Sequence, residues 1–350
     1  MNRIIQEDID YIISNNINWY KFKNKTILIT GANGLLPSYM VYTLINLNEK
    51  KAINCKIIAM VRSEKKGKEK FCNYMIRSDF KLIVNDVCVP ISLDEKVDYI
   101  IHAASQASPI YYNTDPVGTI NANVIGTHNM LNIAAKNKVE GFLFFSSGEV
   151  YGEIDEKHIP TKECDYGYLD PTNIRSCYGE SKRLGETMCV SWYKQYKVPC
   201  KMVRPFHTYG PGIKIDDGRV FADFIYDIVN KRNIVLKSEG EDIRTFCYIA
   251  DAVSGFFTIL LKGKNGESYN VSNDKCSVSI KNLAELLVSL YSERNLKVEH
   301  KLRENSSGYL VSLVDKSYPD ITKIKALGWK PIYSLEEGFR RTIRSVENNE

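Results

Sequence analysis

Short, unbroken apolar runs alternating with helical stretches constrain this chain more than any other feature of its sequence. Residues 26–30, 55–61, 81–84, 97–101 and 141–145 are such runs, and residues 35–47 and 121–136 carry helical patterning between them. Strands that are apolar on both faces must be covered on both faces, which predicts an α/β fold with a parallel sheet flanked by helices. Beyond about residue 205 the alternation loosens into mixed helices and short strands, as expected of a smaller second lobe interleaved with the first. At the start, Ile5, Ile9, Ile12 and Ile13 share one helical face, so residues 1–24 are read as a leader helix packed on the main domain.

Composition narrows the function classes. The 47 basic and 42 acidic residues leave a net charge of +5, without the clustered basic footprint of a nucleic-acid binder. No run of about 18 uncharged apolar residues exists, so no membrane span is expected. Glu7, Asp8 and Asp10 fall where a signal peptide needs an apolar segment. The nine cysteines are odd in number, scattered and free of any C-x-x-C pair, which argues against a disulfide framework or a zinc site and for a reducing, cytoplasmic setting.

The first strand runs into Gly31-Ala32-Asn33-Gly34-Leu35-Leu36-Pro37 at a strand-to-helix turn. Glycines there let backbone approach a pyrophosphate, which rests on the helix N-terminus. The expected fold is thus a Rossmann-type doubly wound sheet, with residues 25–205 as the NAD(P)-binding domain and residues 206–350 as mainly a smaller α/β substrate-binding lobe. Gly31, Asn33, Gly34, Leu35 and Leu36 are the phosphate-loop candidates. Pro37 stands where a third glycine is usual, and proline is tolerated in a first helical turn. After the second strand the chain offers Arg62 where NAD sites usually place an acid. An arginine there accommodates a 2′-phosphate, so the cofactor is read as NAD or NADP.

Tyr178 and Lys182 are four residues apart and share a helical face. A phenol titrates near 10, and a neighbouring ammonium and an oxidised nicotinamide would both stabilise the phenolate and bring it into range. Upstream, Ser147 and Glu149 follow an apolar strand, at the carboxyl edge where open α/β sheets bind ligands. Ser147, Glu149, Tyr178 and Lys182 are therefore the catalytic candidates. His102, His207 and Cys177 lack the partners that metal ligation or nucleophilic catalysis would need, and no metal site is expected.

These segments together resemble the extended short-chain dehydrogenase/reductases that act as nucleotide-sugar epimerases, dehydratases and decarboxylases, over about residues 25–345. The resemblance covers Asp86-Val87, His102-Ala103-Ala104-Ser105, the Ser147 region, Tyr178 with Lys182, the segment from Arg204 through Pro205 and His207 to Gly212, and a C-terminal stretch around Asp320 and Trp329. It implies cofactor contacts from Asp86, Val87, Ala103, Ala104, Ser105, Tyr178, Lys182, Pro205 and His207. Four stretches are similar to the UDP-glucuronic acid decarboxylases of that family: Ala104 to Pro109, Ser147 to Gly152, Asp217 to Val220, and Arg244 to Tyr248. They imply substrate contacts from Gln106, Ser108, Ser147, Gly148, Glu149, His207, Arg219, Arg244 and Tyr248, and the family implies a homodimer.

The implied chemistry is oxidation at C4 of a nucleotide sugar, then loss of a C5 carboxylate. A 4-epimerase, a 4,6-dehydratase and an NADPH-dependent 4-keto reductase share parts of that machinery and stay open. Gly148 counts against dehydration, because that subfamily places an acid there. A protein that senses NAD(P) without turnover is the reading from another class, and the intact Ser147, Tyr178 and Lys182 set argues against it.

Overall fold

The computed structural model describes residues 2–214, 218–301 and 316–347. Helix α1 (Arg3–Ser14) leads into β1 (Thr26–Thr30), α2 (Leu35–Lys51), β2 (Lys56–Val61), α3 (Glu64–Phe71) and β3 (Phe80–Val84). Then follow β4 (Tyr99–His102), α4 (Pro109–Thr114), α5 (Pro116–Asn137), β5 (Gly141–Phe145), α6 (Ser176–Tyr196) and β6 (Cys200–Pro205). The second half holds β7 (His207–Tyr209), α7 (Val220–Val229), β8 (Ile234–Leu236), β9 (Ile243–Tyr248), α8 (Ile249–Lys262) and β10 (Ser268–Val271). It closes with β11 (Ser277–Ser279), α9 (Ile280–Leu290), β12 (Val298–His300), β13 (Lys316–Ser317), α10 (Thr322–Lys325) and α11 (Leu335–Glu347).

The main sheet has seven strands in the order β10-β6-β5-β4-β1-β2-β3. All its pairings are parallel. The Rossmann-type doubly wound sheet expected from the apolar runs is therefore present. Its strand order reverses between β1 and β4, and that switch point opens a crevice at the carboxyl ends of the strands. Every residue of β1 and β5 is buried, as strands covered on both faces must be.

Helix α5 begins at Pro116, earlier than its apolar periodicity indicated. Proline is tolerated in a first turn, and the Asp115 side chain accepts from the Gly118 amide at 3.0 Å to cap it. The chain beyond residue 205 contributes to two places. Helix α8 and strand β10 return to the large sheet, whereas β7, β11 and β13 assemble around β9, and β12 pairs with β8.

Helix α1 packs as its isoleucine stripe requires, burying Ile9, Ile12 and Ile13. The same face carries a fully buried acid, Asp8. Its carboxylate accepts from the hydroxyls of Tyr39 (3.0 Å) and Tyr248 (2.9 Å) and pairs with Arg341 (2.8 Å). Tyr248, which the resemblance places at the substrate site, gives its hydroxyl to this network. A buried phenol must find a partner, and Tyr248 finds Asp8 beneath α1.

Candidate active site at the sheet switch point

The crevice floor is made by the turn after β1. Gly31 has φ +63°, and a Cβ there would stand 2.8 Å from the Ala104 Cα, so only glycine lets the β1 and β4 ends come this close. The Thr30 hydroxyl holds the second wall, accepting from the Ala103 and Ala104 amides at 3.2 and 3.1 Å. Gly34 is the N-cap of α2 and supplies no side-chain cap to its first-turn N–H groups. Uncapped N–H groups, a glycine turn and Leu35 and Leu36 at the helix start fit a dinucleotide pyrophosphate.

His102 lies between Thr30 (2.8 Å) and Thr127 (3.1 Å), and burial, aided by Lys182, lowers its pKa to about 3. It is a neutral brace between β1, β4 and α5. Arg62 follows β2 directly and is exposed, Val87 is buried, and the Asp86 carboxylate accepts from the Cys88 amide at 2.9 Å. Ser105 Oγ and Gln106 Oε1 are buried without a partner among the described residues, at the rim where a ligand would supply one. Gln106 Nε2 donates to Asp115 at 2.7 Å, and Ser108 caps α4.

The catalytic candidates come together. Tyr178 lies in the first turn of α6, and its hydroxyl shares a hydrogen bond with Ser147. Burial pushes Tyr178 up to about 12, against the pull of that hydrogen bond and of Arg219 and Arg175. Lys182 is buried one turn on, with Nζ 5.6 Å from the Tyr178 ring centroid. It donates to the Phe145 carbonyl at 2.6 Å, and burial lowers it to about 7. Of the two charges expected to bring the phenol into range, the Lys182 ammonium and an oxidised nicotinamide, Lys182 stands one turn from Tyr178. In this state a backbone carbonyl engages the ammonium, and arginines supply the positive field at the phenol.

Glu149 sits two residues after Ser147, whose Oγ accepts from the Glu149 amide at 3.2 Å. Its carboxylate faces Arg175, with Nη2 3.3 Å from Oε1 and 3.2 Å from Oε2. Tyr112 of α4 stacks on Tyr178, with ring centroids 4.8 Å apart at 19°. The Arg175 guanidinium lies 4.8 Å from the Tyr112 ring centroid. Sequence reasoning missed both Tyr112 and Arg175. Arg175 stands three residues before Tyr178, which is a usable signal only once that helix start is known.

The opposite wall comes from the second half. His207 opens β7, with Nδ1 buried and without a partner among the described residues, and burial together with Arg244 and Arg219 lowers it to about 3. Arg219 precedes α7, its guanidinium 5.0 Å from the Phe221 ring, and its charge reaches Tyr112, Tyr178 and His207. Arg244 is bonded to Asp242 (3.0 Å) and to the Ile243 carbonyl (3.0 Å). Pro205 ends β6 and pairs with Val271. Gly148 faces the Phe206 ring, which a Cβ would approach to 3.0 Å. Asp217 of the arginine segment lies outside the described residues.

Residues 27–272 match the NAD dependent epimerase/dehydratase family. The chain is 36% identical over 317 residues to UDP-glucuronic acid decarboxylase 5 of Arabidopsis thaliana, covering 90% of this chain and 87% of that protein. It is 34% identical over 328 residues to UDP-glucuronic acid decarboxylase 1 of Xenopus tropicalis, covering 91% and 71%. Its fold is similar to UDP-glucose 4-epimerase of Thermotoga maritima, with TM-score 0.78 and 24% identity over 93% of this chain and 99% of that one. It is also similar to UDP-glucuronic acid 4-epimerase of Bacillus cereus, solved with UDP-glucuronic acid and NAD (TM-score 0.75, 21% identity, 93% and 100% covered). With the glycine turn, the Ser147–Tyr178–Lys182 set and the reversed sheet order in place, the match over most of the chain settles its kinship: it belongs to the NAD dependent epimerase/dehydratase family.

Proposed function

We propose that this protein decarboxylates a nucleotide-activated uronic acid, with UDP-glucuronic acid as substrate. The observation that carries the reading is Glu149 beside Ser147 and Tyr178, a carboxylate that simple C4 epimerisation would leave idle. The decarboxylase relatives support it.

Gly31, Asn33, Gly34, Leu35 and Leu36 would hold the dinucleotide pyrophosphate, Arg62, Asp86 and Val87 its adenosine end, and Ala103, Ala104, Ser105, Pro205 and His207 its nicotinamide half. NAD, or NADP, bound there would supply the hydride acceptor and donor for the sugar C4. Tyr178 takes the proton of the 4-hydroxyl while Ser147 orients the same oxygen, and Lys182 holds the helix start at the β5 carbonyl. The resulting 4-ketone makes the C5 carboxylate a β-keto acid. Its C5–carboxyl bond breaks, carbon dioxide leaves, and C5 takes up one proton in the pocket that Glu149 and Arg244 line. Tyr178 then returns its proton to the C4 oxygen. Gln106, Ser108, Gly148, Arg219 and His207 complete the substrate wall, with Arg219 set for the diphosphate.

Dehydration fits less well, because Gly148 carries no acid and the Phe206 ring fills the space beside it. We also assign residues 206–350 mainly to substrate and residues 25–205 to the dinucleotide. A homodimer would form through α5 and α6, where Val117, Ile120, Ile125, Leu184 and Val190 are exposed. Nine cysteines without a disulfide suit the reducing interior of the cell.

The test is incubation with UDP-glucuronic acid and NAD, followed by mass spectrometry. A nucleotide sugar lighter by carbon dioxide, with no net NADH, is the expected result. Unchanged UDP-glucuronic acid would overturn the proposal.

A further inference from the structure

Arg175 has features that its place in the fold does not explain. Its side chain is 7% exposed, and its Nε is buried with no acceptor among the described residues. Its bond to Glu149 uses one nitrogen shared between two oxygens, at 3.3 and 3.2 Å. Charge-assisted bonds of this kind run at about 2.7–2.9 Å, and a committed arginine–carboxylate pair uses two nitrogens side by side. A guanidinium has five N–H donors in a fixed fork and remains charged throughout the working pH range. Here a buried fork is closed on one side by Glu149, packed against the Tyr112 ring, and left with an unanswered N–H. Buried polar groups without partners are rare, and at a ligand site the ligand itself is the usual remedy.

The surroundings identify the ligand chemistry. Arg175 acts electrostatically on Tyr178, Tyr112 and Cys177, so it belongs to the sugar end of the crevice. Glu149 alone would repel an acidic sugar placed beside Tyr178. An arginine between the two acids cancels that repulsion and offers the sugar carboxylate a planar donor.

We propose that Arg175 is the specificity-determining residue for an acidic sugar, taking the substrate carboxylate beside Glu149. The assignment rests on the reading of the crevice as a nucleotide-sugar site. Neutral sugars with a hydroxymethyl group at the same carbon leave Nε unanswered and bind less tightly.

The experiment measures dissociation constants of UDP-glucuronic acid and UDP-glucose for the cofactor-loaded protein by titration calorimetry. The wild type should bind the acid at least tenfold more tightly. Arg175→Gln should weaken UDP-glucuronic acid binding by about 10- to 100-fold and leave UDP-glucose within a factor of three, the range for losing a charged hydrogen-bond partner. Arg175→Lys keeps the charge without the fork and should show a smaller loss in the same direction. UDP-glucose binding certifies that each variant is folded. The assignment is overturned if the wild type does not discriminate, or if both variants weaken the two ligands equally or neither. Selective, Arg175-dependent binding without carbon dioxide release would sink the decarboxylase reading and keep this one. Decarboxylation with discrimination intact in Arg175→Gln and Arg175→Lys would do the reverse.

Discussion

Tyr178 held up at about 12 by burial is a poor base, so proton removal at the sugar depends on the charges that arrive with ligand and cofactor. Tyr178→Phe removes the proton acceptor and little volume. It should lower turnover by roughly 10²- to 10⁴-fold and change UDP-glucuronic acid affinity by less than threefold. Lys182 is a buried ammonium answered by a carbonyl, at about 7. The unfolded chain binds the proton more tightly between pH 7 and 10.5, so this lysine's contribution to stability rises with pH across that window. Lys182→Met should abolish turnover, raise the melting temperature at pH 7 by roughly 2–6 °C and flatten the alkaline slope, all readable by calorimetry. His102, lowered to about 3, acts at the other end. Between pH 6.5 and 3 the unfolded state takes the proton and the folded state does not, so stability falls as the pH drops. At pH 5 the loss is about 2 kcal/mol, and a His102→Gln variant should melt with a shallower acid limb. Tyr178, Lys182 and Ser147 were legible in the sequence because fixed spacing on one helix and one strand end places them. Arg175 and Tyr112 were not, since their meaning arises from a stack between segments about sixty residues apart.

At the scale of elements, α1 is the instructive case. Its isoleucine face announced a docked helix, but nothing local announced that Asp8 on the same face would gather Tyr39, Tyr248 and Arg341. Tyr248 follows Arg244 and Phe246 in a segment similar to a substrate wall, and strand alternation alone cannot say which way a phenol turns. The outcome depends on an acid 240 residues earlier in the chain. Removing one member of a buried ionic cluster strands the others, so Asp8→Ala should destabilise the fold by about 3–5 kcal/mol. Chemical denaturation of this variant checks the figure. A loss below 1 kcal/mol would mean that the apolar face of α1 carries the docking alone.

On the scale of the whole molecule, the parallel sheet was readable because its strands are apolar on both faces, a pattern that few other architectures satisfy. The lobe beyond β6 was readable only in outline, because three-residue strands such as β7 and β11 carry too little pattern to stand out. The exposed apolar residues of α5 and α6 predict a dimer whose mass light scattering will report, and a Leu184→Asp and Val190→Asp double variant should run as a monomer. The strand β10 has a consequence for how the protein is made. It pairs with β6 to finish the main sheet, yet it lies at residues 268–271. During translation, β6 leaves the ribosome with its outer hydrogen-bonding edge open and waits for some sixty further residues before its neighbour emerges. Over that interval the nascent chain presents an unpaired, largely apolar parallel edge, the kind of surface to which chaperones bind and on which neighbouring chains associate.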